Sequence, residues 1–387
     1  MANERPLLLD VTRLIWRRWV GRLPTGIDRV CLAYLEQYRD DAQAVIQWRG
    51  FRRILPEAAS DRLFKLLLHT RPSVRRDLAQ FVGLERLRPN PRLPGGGRLY
   101  LNVGHTAVHE PRYLEWTRTS DVRPVYMIHD LIPITHPEYC RSGEAERHVE
   151  RVRNMLTSAV GIIGNSQVTL DSLGAFANKV AMPTPAMIAA PLGTELRRAG
   201  GDDPARPSRP TFVVLGTIEA RKNHLLLLQI WARLIRAHGA DAPRLLIIGQ
   251  RGWECEQVFD LLDRNEALRV AVTEIGRCSD ADLDGHLRGA RALLFPTLVE
   301  GYGLPLIEAL ALGTPVIASD LPVFHEIGHE VPDFIDPLDG PAWHAAIVAY
   351  AGHDSPERNA QLARLAVYRA PSWDDHFASV NAWMATL

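Results

Sequence analysis

Short apolar runs alternate with longer stretches of helical spacing along most of this 387-residue chain. In the first half the strand candidates are Leu7 to Asp10, Ala44 to Gln47, Arg98 to Val103, Val125 to His129 and Gly161 to Asn165. In the second half they are Thr211 to Gly216, Arg244 to Gly249, Val270 to Ile275, Ala292 to Pro296, Pro315 to Ser319 and Asp333 to Asp336. This alternation predicts parallel sheets with helices on both faces.

A polar segment rich in Gly and Pro, GGDDPARPSRP at Gly200 to Pro210, separates the two sets of strands. A chain of this length exceeds one ordinary hydrophobic core. The sequence therefore predicts two Rossmann-like domains, residues 1–199 and 211–368, joined by a linker at 200–210. Ligands are expected at the carboxyl ends of the strands, in a central cleft.

The segment PTLVEGYGLPLIE, residues 296 to 308, is predicted to be a turn from a strand into a helix, because an apolar run precedes it and residues at helical spacing follow. At such a turn the backbone amides of Tyr302, Gly303 and Leu304 would favour a phosphate. Gly301 and Gly303 permit backbone angles and close approaches that a Cβ would block. The loop is therefore a candidate phosphate site.

Two glutamates, Glu300 and Glu308, bracket this loop. They are expected not to pair with each other, so that each can accept hydrogen bonds from ligand hydroxyls. The alternative is that both are solvated surface residues.

The run from Glu300 to Ile327 resembles the E-x7-E segment of the retaining glycosyltransferases of family four. The resemblance implies the GT-B fold, an α/β architecture with two Rossmann-like domains facing a central cleft. It implies an acceptor-binding first domain and a nucleotide-sugar-binding second domain. Glu300 would contact the transferred sugar and Glu308 the nucleotide ribose. Residues 369–387 resemble the last helix of the family, which crosses back to the first domain, although plain core packing explains their aromatic spacing equally well.

A second segment, Phe212 to Leu234, contains a strand, a turn with Arg221 and Lys222, and a helix that begins near Asn223. Cations placed for a departing diphosphate stabilise the transition state more than the ground state. In the family this turn carries basic residues on the two phosphates, and Lys222 matches the usual Lys. Thr217 stands where many members have a first Arg. Arg221 either supplies that charge or faces solvent.

The segment YMIHDLIPITHPEY, Tyr126 to Tyr139, resembles the H-D-L-I-P segment of many members, especially mannosyl and related deoxysugar transferases. It places His129 at the end of a strand, where the imidazole could hydrogen-bond the sugar or a phosphate oxygen. The alternative is a satisfied structural histidine. Asp130 is expected to anchor the loop, with a contact to an acceptor hydroxyl as the other possibility.

The first strand-to-helix turn is predicted within Gly21 to Tyr38. The amide of Gly26 could approach the donor phosphate or the acceptor, or Thr25 and Gly26 could simply cap the helix. The Ser and Thr residues that follow Gly164 are predicted to cap the next helix.

The composition, with 46% apolar and 23% charged residues, is that of a globular protein. No signal peptide or spanning helix is recognised, and the four cysteines show no C-x-x-C spacing, so a reducing cytoplasm is expected. Asp280, Asp282 and Asp284 are predicted to open a helix rather than to bind a metal ion. No metal or other cofactor is expected, provided that Arg221, Lys222 and the loop amides carry the diphosphate charge.

The zero net charge combines a first half with 29 Lys and Arg against 20 Asp and Glu and a second half with 16 against 25. Many of the cations lie in residues 51–98, interleaved with Leu and Phe. This stretch could be an interfacial helix on anionic lipid at the inner face of the cytoplasmic membrane, or an amphipathic helix with a solvated basic face. Nucleic-acid binding is not expected, because neither stacking aromatics nor a helix-turn-helix pattern accompanies the charge.

The sequence therefore predicts a retaining, metal-independent glycosyltransferase that moves a hexose from a nucleotide-diphosphate sugar to a saccharide or lipid-linked glycan in surface polysaccharide or lipopolysaccharide biosynthesis. The H-D-L-I-P resemblance favours mannose from GDP-mannose. Two alternatives stay open. One is a sugar-nucleotide epimerase of similar fold. The other is a non-catalytic nucleotide-sugar-binding subunit, suggested by Thr217.

Overall fold

The computed structural model describes residues 5–21, 25–48, 50–69, 74–87, 94–194 and 208–387. The chain divides into two compact units. Unit 1 comprises Met1–Leu192 and Trp373–Leu387, and unit 2 comprises Gly193–Ser372. Most of the predicted linker, residues 200–207, lies outside the described residues. The chain thus enters unit 2 once and returns to unit 1 for its last helix.

Unit 1 is built on a seven-stranded sheet in the order β3-β2-β1-β4-β5-β6-β7. All neighbouring strands are parallel except β3, which runs antiparallel to β2. The strands are β1 Leu7–Asp10, β2 Ala42–Trp48, β3 Phe51–Ile54, β4 Arg98–Asn102, β5 Val122–Ile128, β6 Gly161–Gly164 and β7 Ala186–Ala189. The helices between them are α1 Thr12–Val20, α2 Gly26–Tyr38, α3 Glu57–Leu68, α4 Val74–Leu87, α5 Tyr113–Thr119, α6 Ile132–Thr135, α7 Glu144–Ser158 and α8 Gln167–Lys179.

Unit 2 has a six-stranded parallel sheet in the order β10-β9-β8-β11-β12-β13, which is the strand order of the Rossmann fold. Its strands are β8 Thr211–Leu215, β9 Arg244–Ile248, β10 Val272–Ile275, β11 Ala292–Phe295, β12 Val316–Ser319 and β13 Asp333–Ile335. Its helices are α9 His224–His238, α10 Glu256–Arg264, α11 Asp280–Arg288, α12 Leu304–Ala311, α13 Pro322–Gly328, α14 Gly340–Ala351 and α15 Pro356–Leu365.

The last helix, α16 Trp373–Met384, belongs to unit 1. Its buried His376 accepts or donates a 2.9 Å hydrogen bond with the Tyr34 hydroxyl, and Asn381 accepts one of 2.7 Å from Tyr38. Phe377 lies edge-on to Tyr34 with ring centroids 5.1 Å apart. These contacts fasten the end of the chain to α2.

The central strands form the two cores because helices cover both faces of each sheet. All four residues of β11 are buried, and so are all four of β12. In unit 2 the largest fully buried side chains include Trp231 and Trp343. In unit 1 the buried side chains of the core include three tyrosines, Tyr100, Tyr113 and Tyr126.

Each strand predicted from the sequence is present, and the predicted fold class is confirmed. Two strands, β3 and β7, were missed. Both lie at the edges of the unit 1 sheet. β3 carries two arginines and β7 is only partly buried, so neither shows the apolar run of a central strand.

The expectation of a single helix in the basic stretch 51–98 was wrong, because the stretch contains β3, α3, α4 and the start of β4. Part of its charge lies inside the fold: the side chain of Arg52 is 3% exposed and pairs with Glu110 at 2.9 Å. Among the side chains that the structure describes, four of its cations lie exposed on α3 and α4, namely Arg62, Lys65, Arg75 and Arg76. In the described part of the chain, no helix is both long and apolar enough to cross a bilayer.

Candidate active site

The loops that follow β8 and β11 meet at the carboxyl edge of the unit 2 sheet. From β8 the chain proceeds to β9 on one side of the sheet, while β11 lies on the other side. In an open α/β sheet such a reversal of strand order leaves a crevice between the two loops, which is where ligands bind. The sequence motifs at 220–223 and 296–304 occupy these two loops.

Glu300 holds both cations of the first motif. Its Oε2 accepts a hydrogen bond of 2.8 Å from Arg221 Nη1 and another from Lys222 Nζ. Arg221 also pairs through Nη2 with Glu219 Oε1 at 2.7 Å. Lys222 is 7% exposed, and its ammonium lies 4.7 Å from the ring centroid of Phe295, the last residue of β11. Two carboxylates and two cations are thus fixed beyond the strand ends.

The backbone reinforces this cluster. The carbonyl oxygen of Arg221 accepts hydrogen bonds from Leu298 N at 2.7 Å and from the Thr297 hydroxyl at 3.0 Å. Arg221 Nη1 also donates to the carbonyl of Val299 at 3.2 Å. These hydrogen bonds join the two loops directly to each other.

The charges of the cluster are strongly coupled. Burial alone would raise the pKa of Glu300, but Arg221 and Lys222 outweigh it and lower this pKa to about 2. Burial lowers the pKa of Lys222, and the attraction of Glu300 opposes that shift. At neutral pH Glu300 is therefore a carboxylate, and it holds both cations at the carboxyl edge of the sheet.

Gly303 lies where the loop after β11 turns into α12. It is the N-cap of α12 and has a φ of 114°, in the region that favours glycine. A Cβ at this position would lie 2.8 Å from Phe324 Cε1. Helix α12 begins at Leu304, so the amides predicted to bind phosphate stand at its N-terminus, beside Glu300. Glu308 lies about one turn into this helix.

Arg221 and Lys222 both engage Oε2 of Glu300, because both cations are held at the end of the neighbouring strand. A contact between Glu300 and ligand hydroxyls stays a prediction. Arg221 does not simply face solvent, since its side chain is 21% exposed and bridges Glu219 and Glu300. Thr217 follows β8 and is half-buried against Gly252.

His129 lies in unit 1, directly after β5, and is 4% exposed. Its Nε2 donates a 2.8 Å hydrogen bond to the carbonyl of Val103. Burial lowers the pKa of His129 to about 4, so the ring is neutral at pH 7. Asp130 anchors its loop as expected, with Oδ1 accepting from Ile132 N at 3.1 Å. A contact between His129 and the donor stays a prediction.

The predicted helix caps are present. Thr25 and Asp28 form a capping box at the start of α2, where Gly26 is the first, exposed residue. Ser166 caps α8 by accepting from Thr169 N at 3.1 Å. Ser279 caps α11 in the same way, so the Asp280 segment opens a helix. Whether Gly26 also contacts a ligand stays a prediction.

Unit 1 has its own crevice at the equivalent position. A cavity of 670 Å³ opens where β1 and β4 end, again beside a reversal of strand order. Thr12, Arg13, His105 and Thr106 line it from the two loops. These residues were not predicted as a site from the sequence, although they follow two predicted strands. In the second unit, buried Glu219 was missed as well, because no motif marked it.

Comparisons with known proteins fit this arrangement. Residues 202–330 match the family model of the glycosyl transferases group 1. The serotype-specific mannosyltransferase WbdA of Escherichia coli is 29% identical over 228 residues, which are 55% of this chain and 28% of WbdA. The O-antigen chain mannosyltransferase B of E. coli is 32% identical over 161 residues, 42% of each chain. The O-antigen chain mannosyltransferase RfbU of Salmonella typhimurium is 48% identical over 80 residues, 21% of this chain and 23% of RfbU. The matched region thus spans less than half the length of each of these relatives.

Solved structures resemble the whole chain. HepE of Anabaena, solved with UDP-glucose, has a TM-score of 0.69 at 13% identity and aligns over 98% of this chain and 99% of its own. Sucrose-phosphate synthase of Thermosynechococcus elongatus has a TM-score of 0.62 at 17% identity, over 99% and 98% of the two chains. At these identities the likeness concerns the fold. The chain therefore has the GT-B fold and carries a domain of the glycosyl transferases group 1 family.

Proposed function

We propose that this protein is a retaining glycosyltransferase that moves a hexose from a nucleotide-diphosphate sugar to a saccharide or lipid-linked glycan acceptor. The observation that carries the proposal is the cluster of Arg221, Lys222 and Glu300 at the carboxyl ends of β8 and β11. A leaving diphosphate gains negative charge as the glycosidic bond breaks, and preorganised cations stabilise that charge at little cost of reorganisation.

The proposed roles combine this geometry with the family resemblance. Lys222 and Arg221 receive the diphosphate, together with the amides at the start of α12. Glu300 holds both cations in place and positions the sugar, and Glu308 bonds the ribose. Because these groups supply the positive charge, we propose that transfer needs no metal ion. Retention of configuration, with the acceptor attacking on the face that the diphosphate leaves, belongs to the same proposal.

We further propose mannose from GDP-mannose as the donor and a surface polysaccharide as the product, formed in the cytoplasm. The support comes from the three relatives described above, each of which is named a mannosyltransferase. The H-D-L-I-P segment at His129 points to the same sugar.

Nucleotide binding is tested first, by the thermal shift of the purified protein with GDP, UDP and dTDP. A ligand at one hundred times its dissociation constant adds about 2.7 kcal/mol to the free energy of unfolding. We expect a shift with GDP that is lost in Glu308→Ala and kept in the control Glu330→Ala, which changes an exposed carboxylate. No shift with any nucleotide would contradict the proposal.

Transfer is then measured with GDP-mannose and a mannose oligosaccharide, in the presence of EDTA. Glu300→Ala and Lys222→Ala should remain folded and lose transfer, and NMR of the product should show the anomeric configuration of the donor. Normal rates in either variant would refute the assigned roles. Epimerised nucleotide sugar formed without acceptor would favour the epimerase, and nucleotide binding without any turnover would favour the non-catalytic subunit.

Peripheral contact with anionic membrane through residues 51–98 remains part of the proposal. Its support is now limited to the exposed cations Arg62, Lys65, Arg75 and Arg76 on α3 and α4. Co-sedimentation with phosphatidylglycerol vesicles at low salt should fall in Lys65→Glu/Arg76→Glu. Absence of co-sedimentation in the unaltered protein would remove this contact.

A further inference from the structure

Glu219 is a buried carboxylate beside the two cations of unit 2, and none of the roles proposed above uses it. It is 5% exposed, and its Oε1 lies 2.7 Å from Arg221 Nη2. Its main chain is fixed too, because its carbonyl oxygen accepts a 2.9 Å hydrogen bond from Lys222 N. The preceding Ile218 N bonds to the carbonyl of Gln250, also at 2.9 Å. The carboxylate therefore has a defined position next to Arg221.

Glu219 brings the summed charge of the cluster to zero. Arg221 and Lys222 supply two positive charges, which Glu300 alone would only half neutralise. Arg221 lies between the two carboxylates, since Nη1 contacts Glu300 at 2.8 Å and Nη2 contacts Glu219 at 2.7 Å. The charge of Glu219 also acts on Lys222: burial lowers the pKa of Lys222, and Glu300 and Glu219 both oppose that shift.

A carboxylate at this place weakens a site that binds diphosphate. Charges in a partly buried site are poorly screened by salt, so Glu219 repels any phosphate that approaches Arg221. Holding the guanidinium does not require this charge, because Arg221 Nη1 already bonds to Glu300 and to the carbonyl of Val299. A neutral amide oxygen could accept the hydrogen bond from Nη2. The negative charge, rather than the hydrogen bond, is what distinguishes Glu219 from a structural partner of Arg221.

The repulsion acts more strongly on the product of the proposed reaction than on the donor. In a nucleotide-diphosphate sugar the terminal phosphate is esterified by the sugar. In the released nucleoside diphosphate this phosphate is free and loses a further proton at about pH 6. At neutral pH the product therefore carries an additional negative charge, on the phosphate that has just left the sugar.

We propose that Glu219 weakens the hold of Arg221 and Lys222 on the nucleoside diphosphate product, so that the product leaves the site after transfer. The inference rests on the proposed function and adds to it a residue that acts through the two cations rather than by touching the ligand. Product release limits turnover in many enzymes, so a charge that disfavours the product more than the donor favours turnover.

The test is Glu219→Gln, which keeps an acceptor for Arg221 and removes the charge. Calorimetry compares the affinities for GDP and GDP-mannose, and for UDP and UDP-glucose. We expect the nucleoside diphosphate to bind about tenfold more tightly than to the unaltered protein and its sugar derivative about threefold more tightly. Glu330→Gln makes the same change of net charge at an exposed side chain and should leave all four affinities unchanged. A structural role for Glu219 predicts the opposite sign, because a misplaced Arg221 would bind every one of these ligands less well.

A second comparison covers the case in which Glu219→Gln does not fold. Glu219→Gln/Arg221→Gln removes the buried pair as a whole and leaves neither charge unpaired. It should bind the nucleoside diphosphate about tenfold more tightly than Arg221→Gln alone.

The outcomes separate this inference from the proposed function. Unchanged or weaker binding of the product on loss of Glu219, or equal gains for product and donor, would overturn the role of Glu219 and leave the transferase proposal standing. An unaltered protein that binds neither pair of ligands would refute the transferase proposal and, with it, this role.

Discussion

Glu300 accepts hydrogen bonds from two cations while only 14% of its side chain is exposed. Removing its charge leaves the buried ammonium of Lys222 without this carboxylate, whereas Arg221 keeps its pair with Glu219. We expect Glu300→Gln to lower the free energy of unfolding of unit 2 by about 3 kcal/mol. Urea denaturation at pH 7 measures this loss.

Two further variants test whether the loss of stability comes from the buried Lys222–Glu300 pair or from removing any carboxylate. Glu274→Gln removes a partner of Arg251 on the surface and should cost at most about 1 kcal/mol. Lys222→Met combined with Glu300→Gln should lose less than the two single changes together, because no buried charge is then left unpaired. Equal losses in Glu300→Gln and Glu274→Gln would contradict this account.

The same residues show what the sequence could and could not predict about the site. Lys222 and Glu300 were each selected from local motifs. Their pairing was not, because 78 residues separate them and the contact depends on β8 and β11 being neighbours in the sheet. The cavity of unit 1 was missed for a related reason: Trp16 and Trp48, which line it, belong to no motif and come together only through the fold.

Among the elements, α12 offers a direct test of loop geometry, because glycines with positive φ flank it. In Gly303→Ala the new Cβ would lie 2.8 Å from Phe324, and the alanine would have to adopt a φ of 114°. Gly313 has a φ of 78° with no heavy atom within 4 Å of a Cβ. We expect a loss of about 3 kcal/mol for Gly303→Ala and about 1 kcal/mol for Gly313→Ala. Similar melting temperatures for the two variants would show that the packing against Phe324 is unimportant.

Helix α16 should stabilise unit 1 in particular, although it follows unit 2 in sequence. Phe377 is 6% exposed and packs against Tyr34 and Tyr38. Phe377→Ala should cost about 3 kcal/mol, whereas Ser379→Ala, on the exposed face of the same helix, should be nearly neutral. Hydrogen exchange should become faster in the strands of unit 1 and stay unchanged in those of unit 2. Faster exchange confined to unit 2 would contradict the assignment of α16.

For the whole molecule, the two sheets were predictable because buried parallel strands are short apolar runs between helical segments, and such runs are visible in sequence. The central strands of both units were found in this way. The edge strands β3 and β7 lack that signal because one side of each has no strand neighbour and their residues are partly exposed. The return of the chain to unit 1 was suggested only by the family resemblance of residues 369–387, because contacts such as Tyr34 with His376 leave no local pattern in the sequence.

Buried histidines should make the protein, and unit 1 above all, sensitive to acid. Burial lowers the pKa of His129, His148 and His376 in unit 1, and of His224 in unit 2, to about 4. An unfolded histidine binds a proton below about pH 6.5, and the folded ones do so only near pH 4. The unfolded state therefore binds more protons in this window, and stability falls as the pH falls through it. Buried Asp10, whose pKa is raised to about 6 by burial, opposes the trend in unit 1 below pH 6.

Three histidines outweigh one aspartate, so unit 1 should lose more stability than unit 2 between pH 7 and pH 5, by roughly 2 kcal/mol for each buried histidine. Urea denaturation at the two pH values, followed by hydrogen exchange in each sheet, measures the difference. His376→Asn should reduce the pH dependence of unit 1, whereas His353→Asn, at a side chain that is 97% exposed, should not. Stability that is equal or greater at pH 5 would mean that these histidines are protonated in the folded protein, which their burial makes unfavourable.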